Sequence, residues 1–95
     1  MSAPDFLVHD EVDTVGVVVV ETVKAGQEVV GLIMENGTNV NVTALDDIPL
    51  GHKIALRDFA PEDTVIKYGH DIGRTVAPIK KGQHLHVHNA KTKRW

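Results

Sequence analysis

The chain has 95 residues, no cysteine, and a net charge of −3 with its histidines neutral. That length fits one domain with a modest core, and the missing cysteine removes disulfides, thiolate metal sites and thiol chemistry. Mild acidity weighs against a general nucleic-acid binder, which carries a basic face or stripe, and the apolar run "VGVVVV" is far too short to cross a bilayer.

The expectation is a single domain over 1–95, cytoplasmic, with no nucleic-acid or membrane partner and with residues 1–5 as a flexible N-terminus. The opening "MSAPDFLVHDEVD" lacks the basic-then-apolar layout of a signal peptide. Charge is unevenly spread: acidic residues dominate the first half, whereas "IKKGQHLHVHNAKTKRW" is basic. Such a patch can bind a small anion or an acidic partner, or simply keep the protein solvated.

The pattern along the chain is one of strands and turns. "DTVGVVVVETV" is rich in valine, whose branched Cβ favours a pleated surface. "EVVGLIM" and "TNVNVTAL" flank "ENG", where Asn36-Gly37 predicts a tight hairpin turn. Val40 and Val42 alternate with Asn39, Asn41 and Thr43, so one side of that strand is expected to be wet. "HKIALRDF", "TVIKYG" and "HLHVH" read as further short strands. Asp71 in "GHDIGRT" resembles a helix cap, which predicts one short helical turn there.

A seven-residue unit recurs with an apolar residue at each end and a glycine at its centre: "VKAGQEV", "IPLGHKI" and "IKKGQHL". In a fourth copy, "FAPEDTV", Asp63 is read as standing in for Gly26, Gly51 and Gly82, since Asp, like Gly, tolerates a positive φ. The unit reads as a turn delivering the chain into a strand. None of its glycines opens a helix, so a phosphate cradle is not indicated. Irregular spacing excludes a solenoid and points to an all-β clip or barrel of short strands.

The candidate chemistry lies mainly in histidines. His84, His86 and His88 alternate with Leu85 and Val87, so the three imidazoles share one side of a strand while the apolar pair faces a core. Imidazole serves as acid, base or metal ligand near neutral pH. The outer two lie about 13 Å apart along a strand, so one or two of them can serve one centre, with other groups brought from elsewhere. A polar surface without a task is the alternative. His52 and Lys53 follow the Gly51 turn, a position where sites concentrate, and Lys53 suits a carboxylate or sulfonate. Tyr68 reads as substrate-orienting or as half-buried packing, and Arg74 as an anion clamp. His70 and Asp71 are adjacent and point apart, which makes them a poor catalytic pair. His9, Asp10 and Glu11 look like an exposed segment. There is no nucleophile elbow, H-E-x-x-H or EF-hand loop. A domain this small encloses a substrate with difficulty, so a catalytic role implies a site completed by a partner.

"DIPLGHKIAL", "VIKYGHDIGRT" and "IKKGQHLHVHN" together resemble the small SAF-type domain of the altronate and galactarate dehydratase family. The resemblance implies a β-clip fold and a lyase partner chain, because in this family the small domain is fused to a large domain or made separately. Here it looks like a separate subunit. "FLVHDEVDTVGV" and "HNAKTKRW" look most like the sulfite-eliminating members acting on 3-sulfolactate, with a sugar-acid dehydratase as runner-up. Carried over by position, His86 and His88 are implied as catalytic, and His52, Lys53, Tyr68 and Asn89 as substrate-binding, while His84 and His70 carry less weight; Arg74 stands where the family often has a small residue and is a substrate-binding candidate only as an anion clamp. His84, His86 and His88 are weak metal candidates. Iron is implied as the cofactor, held mainly by the large subunit. A stand-alone binding module for a small anion or carbohydrate, and a purely structural subunit, are the competing expectations.

Overall fold

A computed structural model describes residues 3–67, 70–86 and 90–92. They form strands β1 (Phe6–Val8), β2 (Val15–Val18), β3 (Thr22–Val23), β4 (Glu28–Ile33), β5 (Thr38–Thr43), β6 (Ile48–Pro49), β7 (Lys53–Ala55), β8 (Thr64–Lys67), β9 (His70–Thr75), β10 (His84–Leu85) and β11 (Ala90–Thr92). No helix occurs among the described residues. The helical turn expected at "GHDIGRT" is β9 instead. Its backbone is engaged on both sides, by β8 and by β11, which outweighs a lone capping residue.

Six strands pair in the order β10-β7-β2-β1-β4-β5, three as β11-β9-β8, and two as β3-β6. The β1–β4 pair is parallel; the others are antiparallel. The valine-rich "DTVGVVVVETV" divides into β2 and β3, because the chain leaves the large sheet after Val18 to pair Val23 with Ile48. The β4–β5 hairpin closes through four residues rather than two. Ile33 faces Thr38 across the loop, and the Gly37 N–H donates to the Ile33 carbonyl at 2.8 Å. Gly37 has φ 73° and Asn36 does not share it, so the two-residue mirror-image turn is not formed. Along β5, Asn39, Asn41 and Thr43 are exposed and Val42 is buried, as the alternation predicts.

Each side of the large sheet buries its own cluster. Phe6, Val8, Val18, Val29, Ile48 and Ile54 lead one; Val15, Ala55, Phe59, Val65, Ile79 and Leu85 make the other. The Phe6 ring fills the space that side chains at Gly16 and Gly31 would occupy, so these two glycines are cut to fit one aromatic residue.

The repeated unit supplies both clusters. Its first residues, Val23, Ile48, Phe59 and Ile79, and its last, Val29, Ile54, Val65 and Leu85, are all at most 3 % exposed. The copies are joined in pairs, Val23 against Ile48 and Phe59 against Ile79. Each copy turns on a positive φ at its fourth position: Gly26 87°, Gly51 84°, Gly82 94° and Glu62 71°. The fourth copy therefore turns on Glu62 and not on Asp63. Pro61 before it suits the second position of such a turn, and Asp63 has another task, described next.

Candidate functional site

In each repeated turn the fourth position is followed by a residue whose N–H closes the turn. Gln27 donates to the Lys24 carbonyl at 3.1 Å, His52 to Pro49 at 3.1 Å, Asp63 to Ala60 at 3.2 Å and Gln83 to Lys80 at 2.9 Å. In three copies the side chain of that same residue reaches back. The Lys24 N–H donates to Gln27 Oε1 at 3.1 Å, the Ala60 N–H to Asp63 Oδ2 at 2.7 Å, and the Lys80 N–H to Gln83 Oε1 at 2.7 Å. The remaining copy begins with Pro49, which has no N–H to donate. His52 is thereby released from its turn.

The His52 ring points to the start of β10. Its Nδ1 lies 2.7 Å from His84 Nε2, and its ring stacks on that of His86 with centroids 3.9 Å apart and planes 18° from parallel. All three imidazoles are half-buried, and one nitrogen from each lies within 4.8 Å of the others. His84 is fixed twice: its backbone pairs with Ile54 on β7, and its N–H donates to Asp46 Oδ2 at 2.9 Å. Gly82 delivers β10 to this place. A side chain there would collide with the Thr43 carbonyl, and φ at 94° already favours glycine.

Lys53 does not join the histidines. It pairs with Leu85 and with Val17, whereas His84 pairs with Ile54, so alternation sets Lys53 on the opposite side of the sheet. There it meets Lys67. Burial, and secondarily the Lys67 ammonium, lower the Lys53 amine below its ordinary 10.5. Lys67 also lines a cleft of about 290 Å³ on that side, with Leu7, Val17, Val19 and Met34. Arg74 is exposed in β9, opposite Thr64 and Lys91. Tyr68, His88 and Asn89 lie outside the described residues. His9 bonds Asp10 at 3.0 Å.

The cluster thus combines the expected His52 and His86 with His84, which the resemblance weights less. Asp46 carried no signal in the sequence reading, because its role depends on a contact 38 residues away. Three imidazoles half out of water can accept, hold and pass a proton. As neutral nitrogen donors they also suit a first-row divalent metal.

The family model for the altronate/galactarate dehydratase SAF domain matches residues 4–93. The chain belongs to that family. Within the SAF family it is 56 % identical over 91 residues to the (2R)-sulfolactate sulfo-lyase subunit alpha of Chromohalobacter salexigens, covering 96 % of this chain and 97 % of that one. The subunit alpha of the same name from Paracoccus pantotrophus is 47 % identical over 64 residues, 67 % of this chain and 96 % of that one. The altronate dehydratase of Bacillus subtilis is 47 % identical over 53 residues, but these make up only 11 % of its length. The SAF-domain match runs through all four repeated turns and all three clustered histidines.

Proposed function

We propose that this chain is the small subunit of a carbon–sulfur lyase that eliminates sulfite from (2R)-3-sulfolactate to give pyruvate, at a site completed by a large subunit. The observation that carries the reading is end-to-end likeness to one subunit bearing that activity in its name, with a second such subunit matching 67 % of this chain, against a likeness to altronate dehydratases that takes in 11 % of their length. In the reaction a base takes the proton on the carbon next to the carboxylate. The electron pair left behind forms the carbon–carbon double bond, and the carbon–sulfur bond breaks with its pair leaving on sulfite. The enol gains a proton at the former sulfonate carbon and becomes pyruvate.

Where they hold no ion, His52, His84 and His86 are the groups on this chain suited to hold or move those protons. Leu50, 58 % exposed, and Leu45, 45 % exposed, flank the cluster in sequence beside His52 and Asp46. Apolar residues so placed favour a partner surface closing over the histidines and excluding water. The Lys53–Lys67 side of the sheet and Arg74 offer cations for an anionic substrate or an acidic partner face. The cofactor of this reading is iron, as Fe(II), which supplies Lewis-acid polarisation of carboxylate and hydroxyl when bound. The three-nitrogen set suits such an ion in donor type, and its nitrogens lie within 4.8 Å of one another.

The test is reconstitution. The purified chain, its large subunit and Fe(II) are mixed without oxygen, and sulfite and pyruvate are followed from 3-sulfolactate. Equal release of both, only when both chains are present, is the expected result. Turnover of altronate and not of sulfolactate would replace the reading with the dehydratase.

A further inference from the structure

We propose that His52, His84 and His86 form a site on this chain alone for one divalent transition-metal ion, without ligands from the large subunit. The expectation from resemblance put the main metal ligands elsewhere. The geometry argues otherwise. Three imidazole nitrogens converge from the residue before β7, from β10 and from the residue after β10, half out of water, within 4.8 Å of one another. Around an ion held at 2.0–2.1 Å from each, the nitrogens of a tetrahedral site lie about 3.4 Å apart. The His52–His84 pair, at 2.7 Å, has to open by less than about 1 Å, and the widest pair has to close by up to about 1.4 Å. Rotation of the imidazoles about their side-chain bonds is the motion both changes call for, and the nearly parallel rings of His52 and His86 have to tilt so that their in-plane lone pairs meet at one point.

The second argument is the turn. Where its three sister turns spend the side chain of their last residue on their own backbone, the Pro49 copy sends it across 32 residues to β10. A histidine placed there merely as surface would need no such diversion. Three nitrogen ligands leave the remaining coordination positions for water or substrate, the pattern of a reactive rather than a structural ion. Asp46, which holds the His84 backbone, fixes the start of the segment that presents two of the three ligands.

This inference leans on the lyase reading only for the ion's task; the site is read from the geometry. It is tested on the untagged chain by titration with Co(II) and, separately, Zn(II), without substrate. One Co(II) per chain is expected, with visible d–d bands. In the wild type, the ring nitrogens of His52, His84 and His86 should shift on Zn(II) binding while those of His9 do not. Pro49→Ala combined with His52→Gln rebuilds the self-closed turn of the sister copies and should weaken binding at least tenfold with the fold retained. Absence of saturable binding, undiminished binding in that double variant, or shifts confined to other histidines would overturn the site. Sulfite release plays no part in the readout, so failure here leaves the lyase reading to be judged separately, and the reverse.

Discussion

Pro49 and His52 are the two ends of one turn, and the missing N–H of the first sets the direction of the second. In the sister turns the side chain of the second accepts the N–H of the first; here His52 Nδ1 meets His84 Nε2 at 2.7 Å. The double variant Pro49→Ala/His52→Gln trades the His52–His84 ring contact for a side-chain bond within its own turn, so its stability should stay within about 1 kcal/mol of wild type, a shift in melting temperature of no more than about 4–8 °C. Reconstituted with the large subunit, it should lose about a hundredfold or more in sulfite release, the usual scale for removing a positioned imidazole. Thermal melts and steady-state rates on the same preparation separate the two effects. Near wild-type turnover would reduce this chain to a structural subunit.

Gly82 and Gly26 occupy the same place in two turns with nearly the same φ, but their surroundings differ. An added Cβ at Gly26 meets nothing within 4 Å, whereas at Gly82 it collides with the Thr43 carbonyl. Gly26→Ala should cost only the backbone penalty, about 1–2 kcal/mol. Gly82→Ala should cost that plus overpacking, a further 1–3 kcal/mol or so, and should displace His84 and His86. Urea denaturation of both variants gives the comparison; equal losses would mean that β10 adjusts freely.

Thr75 is 1 % exposed, and its hydroxyl donates to the Ala60 carbonyl at 2.6 Å while accepting from the Asp63 N–H at 3.1 Å. It holds the turn on Glu62, the copy without a glycine. Thr75→Val keeps the shape and removes both bonds, so a loss of about 1–3 kcal/mol is expected from equilibrium unfolding. A neutral result would show that the backbone and the Asp63 carboxylate hold the turn without the hydroxyl.

Burial lowers the Lys53 amine, so the folded chain resists its charge. The sign follows from proton counts: between the folded value and 10.5 the unfolded chain binds more protons, and stability rises with pH. The penalty is fully present below the folded value and gone above the unfolded one. Lys53→Met should raise the melting temperature of the isolated chain at pH 7, and the difference should shrink as pH approaches 10.5. Melts across that range check it. A lower melting temperature at pH 7 would mean that Lys53 makes a favourable contact outweighing its desolvation.

The strands and turns were legible because their signals are local. Valine runs, the wet alternation of β5 and the recurring glycine all act within a few residues. Glu62 was not legible as a turn residue, since its positive φ is imposed by Pro61 before it and by Asp63 and Thr75 beside it. His52 and Lys53 read as a pair in sequence, yet alternation across β7 sends them to opposite sides. Nor could His52 be matched to His84 from spacing: the contact spans 32 residues and exists because β7 and β10 pair. The resemblance supplied His52 and His86, and the backbone supplied the reason they meet.

Pairing of the repeated turns across the chain also orders events in time. His52 leaves the ribosome long before His84, and β10 has no partner until β7 is already set in the sheet. A nascent chain thus carries its imidazoles apart for most of its synthesis, which proceeds at about 5–20 residues per second. The cluster needs β10 beside β7, so an ion or substrate that needs all three rings has to wait for that pairing to close.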